Sequence, residues 1–167
     1  MNAEKMTQKA MEALEAAHAD AVRKGHPELT TLHLLQALLE QEHGLTGNLL
    51  GKMGKDSGIL QQAVSEELGK LPTFNGASGR VAASGGMKQV RVRSDDEAKQ
   101  LGDEYVSVEH LLLAILEEGK SGPAGRLLQE QSIRRKELLK HWKTFREGRG
   151  SQTGILKTRS KHWKNMA

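Results

Sequence analysis

The chain contains one segment twice. Residues 25–40 (GHPELTTLHLLQALLE) align without a gap on residues 102–117 (GDEYVSVEHLLLAILE), at a constant offset of 77 positions. Self-similarity at a fixed spacing indicates a duplicated structural unit. Two copies within 167 residues predict one pseudo-symmetric domain, with any special surface at the junction of the copies. That layout is more typical of a binding module than of an enzyme.

The composition favours packed helices. Aromatic residues make up only 3% of the chain, so the core must consist of Leu, Ala, Val, Ile and Met. The absence of cysteine excludes disulfides, thiolate zinc sites and a cysteine nucleophile, and it fits a reducing cytosol. The first residues lack the apolar stretch of a signal peptide, and no apolar run is long enough for a membrane span. We therefore expect a soluble, cytoplasmic all-α protein without a membrane partner.

Caps and apolar spacing predict four helices in each copy. In the first, Thr7 caps a helix that Gly25 stops, Thr30 or Thr31 caps the second, a short third covers about residues 47–53, and the fourth begins near Asp56. The second copy repeats this order: Gly102 stops its first helix, Ser107 caps its second, and its last helix starts near Ser132. The predicted divisions are a first repeat at 1–72, a Gly/Ser-rich connector at 73–86, a second repeat at 87–147 and a basic, disordered tail at 148–167.

One segment departs from the helical pattern. Residues 90–93 (VRVR) alternate apolar and charged side chains with a period of two, which is typical of a strand. The repeat, however, places this segment inside the first helix of the second copy. We therefore predict a helix here, and no segment of the chain alternates convincingly enough to predict a strand.

Motifs for catalysis or metal binding are missing. Residues 114–121 (AILEEGKS) come within one residue of a phosphate-binding loop, but Ala114 stands where glycine is needed and a helix ends there. His26 and His33 fall on opposite sides of a helix start. His33 and His110 are equivalent between the copies, and we interpret them as buried histidines bonded to a nearby backbone carbonyl. We expect no catalytic residue, no cofactor and no metal.

The repeated segments carry a family resemblance. Residues 95–116 (DDEAKQLGDEYVSVEHLLLAIL), residues 6–10 (MTQKA) and residues 32–39 (LHLLQALL) closely resemble the amino-terminal domain of the Clp/ClpB family of AAA+ chaperones. The resemblance covers about residues 4–145. It implies two four-helix repeats about a pseudo-twofold axis, forming one globular domain without the ATPase modules.

The resemblance also implies a function and partners. Such a domain is a mobile, non-catalytic part of a ClpB-like disaggregase or unfoldase that binds unfolded or aggregated polypeptide or Clp adaptor proteins, and a Clp/AAA+ hexamer is a further partner. The alternatives are a stand-alone accessory subunit of a Clp protease complex, or a small basic nucleic-acid-binding protein that acts through its tail.

Site residues carried over from the family lie near the repeat junction. The polar candidates for substrate contact also have ordinary roles as helix caps or turn residues, and the apolar candidates for a groove also suit core packing. Arg91 and Arg93 make that groove less apolar than is usual in the family. The polar candidates are Thr7, Ser84, Asp103 and Glu109, and the apolar candidates are Leu14, Val90 and Val92.

The basic charge belongs to the end of the chain. From Arg146 onward, six Lys or Arg residues face Glu147 alone, so this segment carries +5 and the rest carries −1, for a net charge of +4. Codons for residues 160–167 can be regrouped to encode QALEKYG, which resembles the family's linker. Our hypothesis is that residues from about 152 onward are translated out of frame. The other interpretation is a natural basic extension that contacts nucleic acid or another anionic surface.

Overall fold

The structure, a computed structural model, describes residues 5–42, 44–74 and 80–152. These residues form eight α-helices, two very short strands and one turn of 3₁₀ helix at Gly119–Ser121. None of the described helices has the length and apolarity that crossing a membrane requires. In chain order the elements are α1 (Gln8–Arg23), β1 (Glu28–Leu29), α2 (Thr31–Glu40), α3 (Leu45–Lys52), α4 (Ser57–Gly69), β2 (Ala82–Ala83), α5 (Gly85–Gln100), α6 (Val108–Glu118), α7 (Pro123–Glu130) and α8 (Arg135–Gln152).

Helices α2 and α6 form the centre of the domain. All residues from Thr31 to Leu39 are buried, and so are all residues from Val108 to Leu116. Apart from a few polar side chains such as His33 and His110, the buried residues of these helices are apolar, as expected of helices enclosed by others. Helix α1 packs along α2 and α5 along α6, while α2 and α6 also contact each other. One apolar cluster therefore includes residues from both repeats. The eight helices confirm the predicted all-α fold.

The two repeats are joined by reciprocal backbone pairing. Strand β2, just before α5, pairs in parallel with β1, just before α2. At the equivalent place Met6, just before α1, forms a parallel bridge with Val106, just before α6. Each repeat thus supplies the start of its first helix to the other repeat. These strands were not predicted, because two residues are too few to show an alternating pattern.

A glycine ends the first helix of each repeat, as predicted. Gly25 and Gly102 both have a φ of 72°, a left-handed conformation that glycine adopts without strain. The following residue then donates its backbone N–H to the helix, from His26 to Ala21 O at 2.9 Å and from Asp103 to Ala98 O at 2.8 Å. This reversal turns residues 26 and 103 back towards the helix that follows.

Several predicted boundaries can be compared with the structure. Residues 90–93 are helical, as the repeat indicated, and α5 starts at Gly85, two residues before the predicted start of the repeat. Within the predicted connector, residues 82–83 form β2, while residues 75–79 lie outside the described residues. Helix α8 continues through Gln152, so residues 148–152 are helical rather than a disordered tail.

The remainder of the predicted tail, residues 153–167, lies outside the described residues, and so does the reading-frame hypothesis for most of its length. The division of the chain at residues 72 and 87 stays a prediction.

Val90 and Val92, two residues apart on α5, provide a matched test of this packing. Val90 is fully buried, whereas 60% of Val92 is exposed. We expect Val90→Ala to lower the free energy of unfolding by about 2 kcal/mol, because two methyl groups are lost from a closed core. Val92→Ala should change it by less than about 0.5 kcal/mol. Urea unfolding of both variants measures the difference, and equal losses would contradict the assigned orientation of α5.

Candidate functional site

A buried histidine occupies the first turn of each central helix. The backbone N–H of Thr30 donates to Nδ1 of His33 at 3.0 Å, and that of Ser107 donates to Nδ1 of His110 at 2.8 Å. These are capping boxes in which histidine replaces the usual Glu or Gln. The prediction that each ring bonds a backbone carbonyl is wrong: each ring accepts a hydrogen bond from a backbone N–H. Because Nδ1 accepts a hydrogen bond, the ring hydrogen of the neutral imidazole must lie on Nε2.

The Nε2 proton of each histidine goes to a different kind of acceptor. His33 Nε2 lies 2.8 Å from Nδ1 of His26, whereas His110 Nε2 lies 2.9 Å from Oδ2 of Asp103. His26 and Asp103 are equivalent residues, each placed by the glycine before it. The sequence placed His26 and His33 on opposite sides of a helix start, but the chain reversal brings their rings into contact.

This difference gives the two equivalent pairs opposite electrostatics. Burial and the neighbouring His26 lower the pKa of His33 from 6.5 to about 4. At Asp103 burial acts to raise the pKa, but hydrogen bonds from His110 and Arg146 outweigh it and lower the pKa to about 2. Near neutral pH the first copy therefore holds a neutral pair and the second a carboxylate anion.

Glu109 adds a second carboxyl group to the Asp103 side. It is buried, accepts a hydrogen bond from the Ser107 hydroxyl, and has its pKa raised by burial. Asp103, Glu109 and His110 each offer a ligand atom, all within 4.8 Å of one another. Neither ring nitrogen of His110 has a free lone pair, however: Nδ1 accepts a hydrogen bond from the Ser107 backbone amide, and Nε2 carries the ring hydrogen. The group is a hydrogen-bond network, and its histidine is not arranged to bind a metal.

Helix α8 closes over this network. The guanidinium of Arg146 donates to Asp103 Oδ1 at 2.7 Å and to Oδ2 at 3.5 Å. The same guanidinium lies 5.9 Å from the ring centre of Trp142, which stacks on Phe145. Lys52 of α3 lies over the Phe145 ring. The end of α8 therefore contacts both repeats at this point.

Thr7 and Ser84 occupy equivalent positions at opposite junctions. Thr7 caps α1 through a 3.2 Å bond from Ala10 N–H, and its own N–H donates to Val106 O at 2.9 Å. Ser84 caps α5 in the same way and donates its N–H to Leu29 O at 2.9 Å. Thr7 is thus tied to the loop between Asp103 and the start of α6, whereas Ser84 belongs to the His26 side.

The three apolar candidates do not share one environment. Val90 is buried in the core, Leu14 is half-buried and packs against it, and Val92 is largely exposed. The structure therefore brings Asp103 and Glu109 together, links Thr7 to them through the backbone, and assigns Val90 to the core.

His110, Ser107 and Arg146 complete the site and were not among the predicted residues. The repeat alignment contains a signal for the first two, because it sets the Thr30–His33 cap on the Ser107–His110 cap and His26 on Asp103. Nothing in the sequence indicates that Arg146 reaches Asp103, since 43 residues separate them.

Comparison with known proteins identifies the family. Residues 5–131 match the model of the Clp repeat (R) N-terminal domain. The chain belongs to the Clp repeat N-terminal domain family. This family is a non-catalytic domain, in agreement with a site built from caps and hydrogen bonds.

Curated relatives of this Clp domain are chaperones. Chaperone protein ClpB of Nitratidesulfovibrio vulgaris is 41% identical over 155 residues, which is 91% of this chain and 18% of the relative. ClpB of Bacillus anthracis is 37% identical over 149 residues, or 87% of this chain and 17% of the relative. The chain therefore spans less than a fifth of the length of the relatives it matches.

Solved Clp N-domains share the fold. The Hsp104 N-terminal domain of Candida albicans superimposes with a TM-score of 0.72 at 23% identity, covering 82% of this chain and 88% of that one. A ClpV N-domain solved as a complex with a VipB peptide has a TM-score of 0.64 at 22% identity, covering 83% and 85%. At this level of identity the likeness establishes the common architecture.

The His26–His33 pair predicts an acid-sensitive first repeat. Between pH 6.5 and about 4 the unfolded chain binds a proton at His33 that the folded chain does not. The free energy of unfolding should therefore decrease as the pH is lowered through this range, by on the order of 3 kcal/mol in total. His26→Asp should remove this loss, because it gives His33 the anionic partner that His110 already has. Asp103, whose pKa is lowered to about 2, loses its contribution mainly below about pH 4, so most of the fall in this range belongs to His33.

Urea unfolding at a series of pH values measures this effect. Exposed His18, on α1, provides the matched control, and His18→Asp should keep the pH dependence of the unaltered protein. If His26→Asp also keeps it, the neutral His26–His33 pair is not the source of the acid sensitivity.

Proposed function

We propose that this domain binds unfolded or aggregated polypeptide, or an adaptor protein, at the junction formed by the starts of α1 and α6. The observation that carries the proposal is the anionic network of Asp103, Glu109 and His110 beside the cap of α1. In this proposal the domain binds and hands over polypeptide, and catalyses nothing itself.

The chemistry of the junction supports contact with a polypeptide. Asp103 is ionised at neutral pH and can accept hydrogen bonds from backbone amides or from cationic side chains. Glu109 lies behind it and, through Ser107, fixes the loop that holds Asp103. Thr7 fixes the neighbouring helix start through its bond to Val106. In this proposal Asp103 meets the ligand, while Thr7 and Glu109 position it.

The other candidates have lesser roles in the proposal. Ser84 caps α5 and bonds across the repeats at the His26 side, as Thr7 does here, but at that side a histidine stands in place of the Asp103 carboxylate. Val92 and Leu14 give apolar contact along the flanking helices, and Val90 supports α5 from the core.

Family membership supports the same conclusion. A ClpV N-domain has been solved with a bound peptide, and the curated relatives are ClpB chaperones. We extend peptide binding to this chain, and propose that it acts together with a Clp/AAA+ hexamer. Affinity should be low, because a disordered ligand loses conformational entropy when it binds a small polar surface.

An NMR titration of the full chain with a permanently unfolded polypeptide tests the proposal. We expect amide shifts at Thr7 and at residues 103–110, with few at Ser84. Asp103→Asn should weaken binding about fivefold or more, since a charged hydrogen bond is replaced by a neutral one. Glu109→Ala should weaken it as well, by releasing the Ser107 hydroxyl.

Asp96→Asn is the matched control, because Asp96 is exposed on α5 and undergoes the same change of charge. It should bind like the unaltered protein. Binding that weakens equally in both Asp variants would indicate general charge attraction. Shifts confined to residues beyond 147 would assign binding to the basic tail and contradict the proposal.

A further inference from the structure

We propose that Arg146 is an intramolecular competitor for this site: α8 is closed over Asp103, and a bound polypeptide must displace Arg146. This inference rests on the proposed function and adds to it a mechanism of regulation and a ligand preference. A ligand that carries arginine is the natural competitor.

The geometry of the closed state carries the first step. Both oxygens of the Asp103 carboxylate are occupied, one by Arg146 and the other by His110 with a longer contact to Arg146. The Asp103 side chain is 7% exposed, whereas that of Arg146 is 47% exposed. A ligand approaching from solvent therefore meets the guanidinium first, and it reaches the carboxylate only where Arg146 has moved.

The two ends of α8 are held unequally, which allows one end to open. At its start Arg135 donates to both carboxylate oxygens of Glu97, at 2.6 and 2.7 Å, and the Glu97 side chain is buried. Towards its end the Arg146 side chain is 47% exposed, against 33% for Arg135. There the buried Nε1 of Trp142 has no hydrogen-bond acceptor within the part of the chain that the structure describes. Closure leaves this N–H unsatisfied, which favours opening at the Arg146 end.

Comparison with α4, the equivalent of α8 in the first repeat, indicates that packing of this helix does not require the Arg146–Asp103 ion pair. From the third helix onward the offset between repeats is 78, because Leu49 and Leu50 are buried where Leu127 and Leu128 are. Leu68 of α4 is therefore the equivalent of Arg146. Together with His26 it lines a cavity of about 270 Å³. In the first repeat, Leu68 thus occupies the position from which Arg146 contacts Asp103 in the second.

The guanidinium that occupies the site also indicates the preferred ligand. An arginine from the ligand can replace Arg146 with the same pair of charged hydrogen bonds, so the exchange loses no bond to Asp103. A glutamine at that position offers a weaker, neutral donor. We therefore infer that unfolded segments containing arginine bind this domain in preference to otherwise identical segments without it.

Trp142 provides a direct readout of opening. The chain contains two tryptophans, so Trp163→Phe leaves Trp142 as the only one. Emission and affinity are measured in this full-length variant with a short unstructured peptide that has one central arginine, and with its glutamine counterpart. Arg146→Leu, which copies the leucine at position 68, frees Asp103 while preserving apolar packing. Arg134→Leu, at an exposed residue just before α8, is the matched control.

The arginine peptide should shift the Trp142 emission and bind more tightly than the glutamine peptide. Arg146→Leu should bind the arginine peptide about fivefold more tightly, the contribution expected of a half-exposed ion pair, and Arg134→Leu should not. If both peptides bind but Arg146→Leu leaves affinity unchanged and emission does not shift, competition by Arg146 is wrong while the proposed function stands. Absence of binding to every variant would overturn both.

Discussion

The arrangement depends on one reciprocal interaction: each repeat pairs the backbone before its first helix with the backbone before the second helix of the other repeat. Thr7 N–H bonds to Val106 O, and Ser84 N–H bonds to Leu29 O, each at 2.9 Å. These bonds cross between the repeats, and the central helices α2 and α6 also contact each other. The same exchange sets the start of α1 beside the start of α6, and the candidate site lies there.

Duplication then allowed the two junctions to diverge. Both retain a histidine cap whose Nε2 proton needs an acceptor. In the first repeat the acceptor is His26, which stays neutral near leucine; in the second it is Asp103, which binds Arg146. Two differences between the repeats, His26 against Asp103 and Leu68 against Arg146, therefore separate a neutral histidine pair from a carboxylate–arginine pair. A buried anion needs charged partners, and so the electrostatic difference between the junctions lies in Asp103 and Arg146.

Much of the fold could be predicted because it depends on local patterns. The repeat, the caps at Thr7 and Ser107 and the glycines at 25 and 102 act within a few residues and specify the helices. The short strands and the Arg146–Asp103 pair depend on contacts between distant segments, which one sequence does not display. The histidine pair is intermediate: its residues are seven apart, but only the reversal at Gly25 brings them together. Asp103 and Glu109 were named only through the family resemblance, and their contacts with His110 and Arg146 appear only in the folded chain.

The central claim is that unfolded polypeptide contacts the junction at Asp103 and not the equivalent junction at His26. Photo-crosslinking tests it most directly: an unfolded polypeptide carrying a photoreactive group is irradiated with the full chain, and the attached residues are mapped by mass spectrometry. The account predicts attachment at residues 5–7, 103–109 and 142–146. Attachment centred on Leu29, Ser84 and His26, or on exposed Ile59, would contradict it.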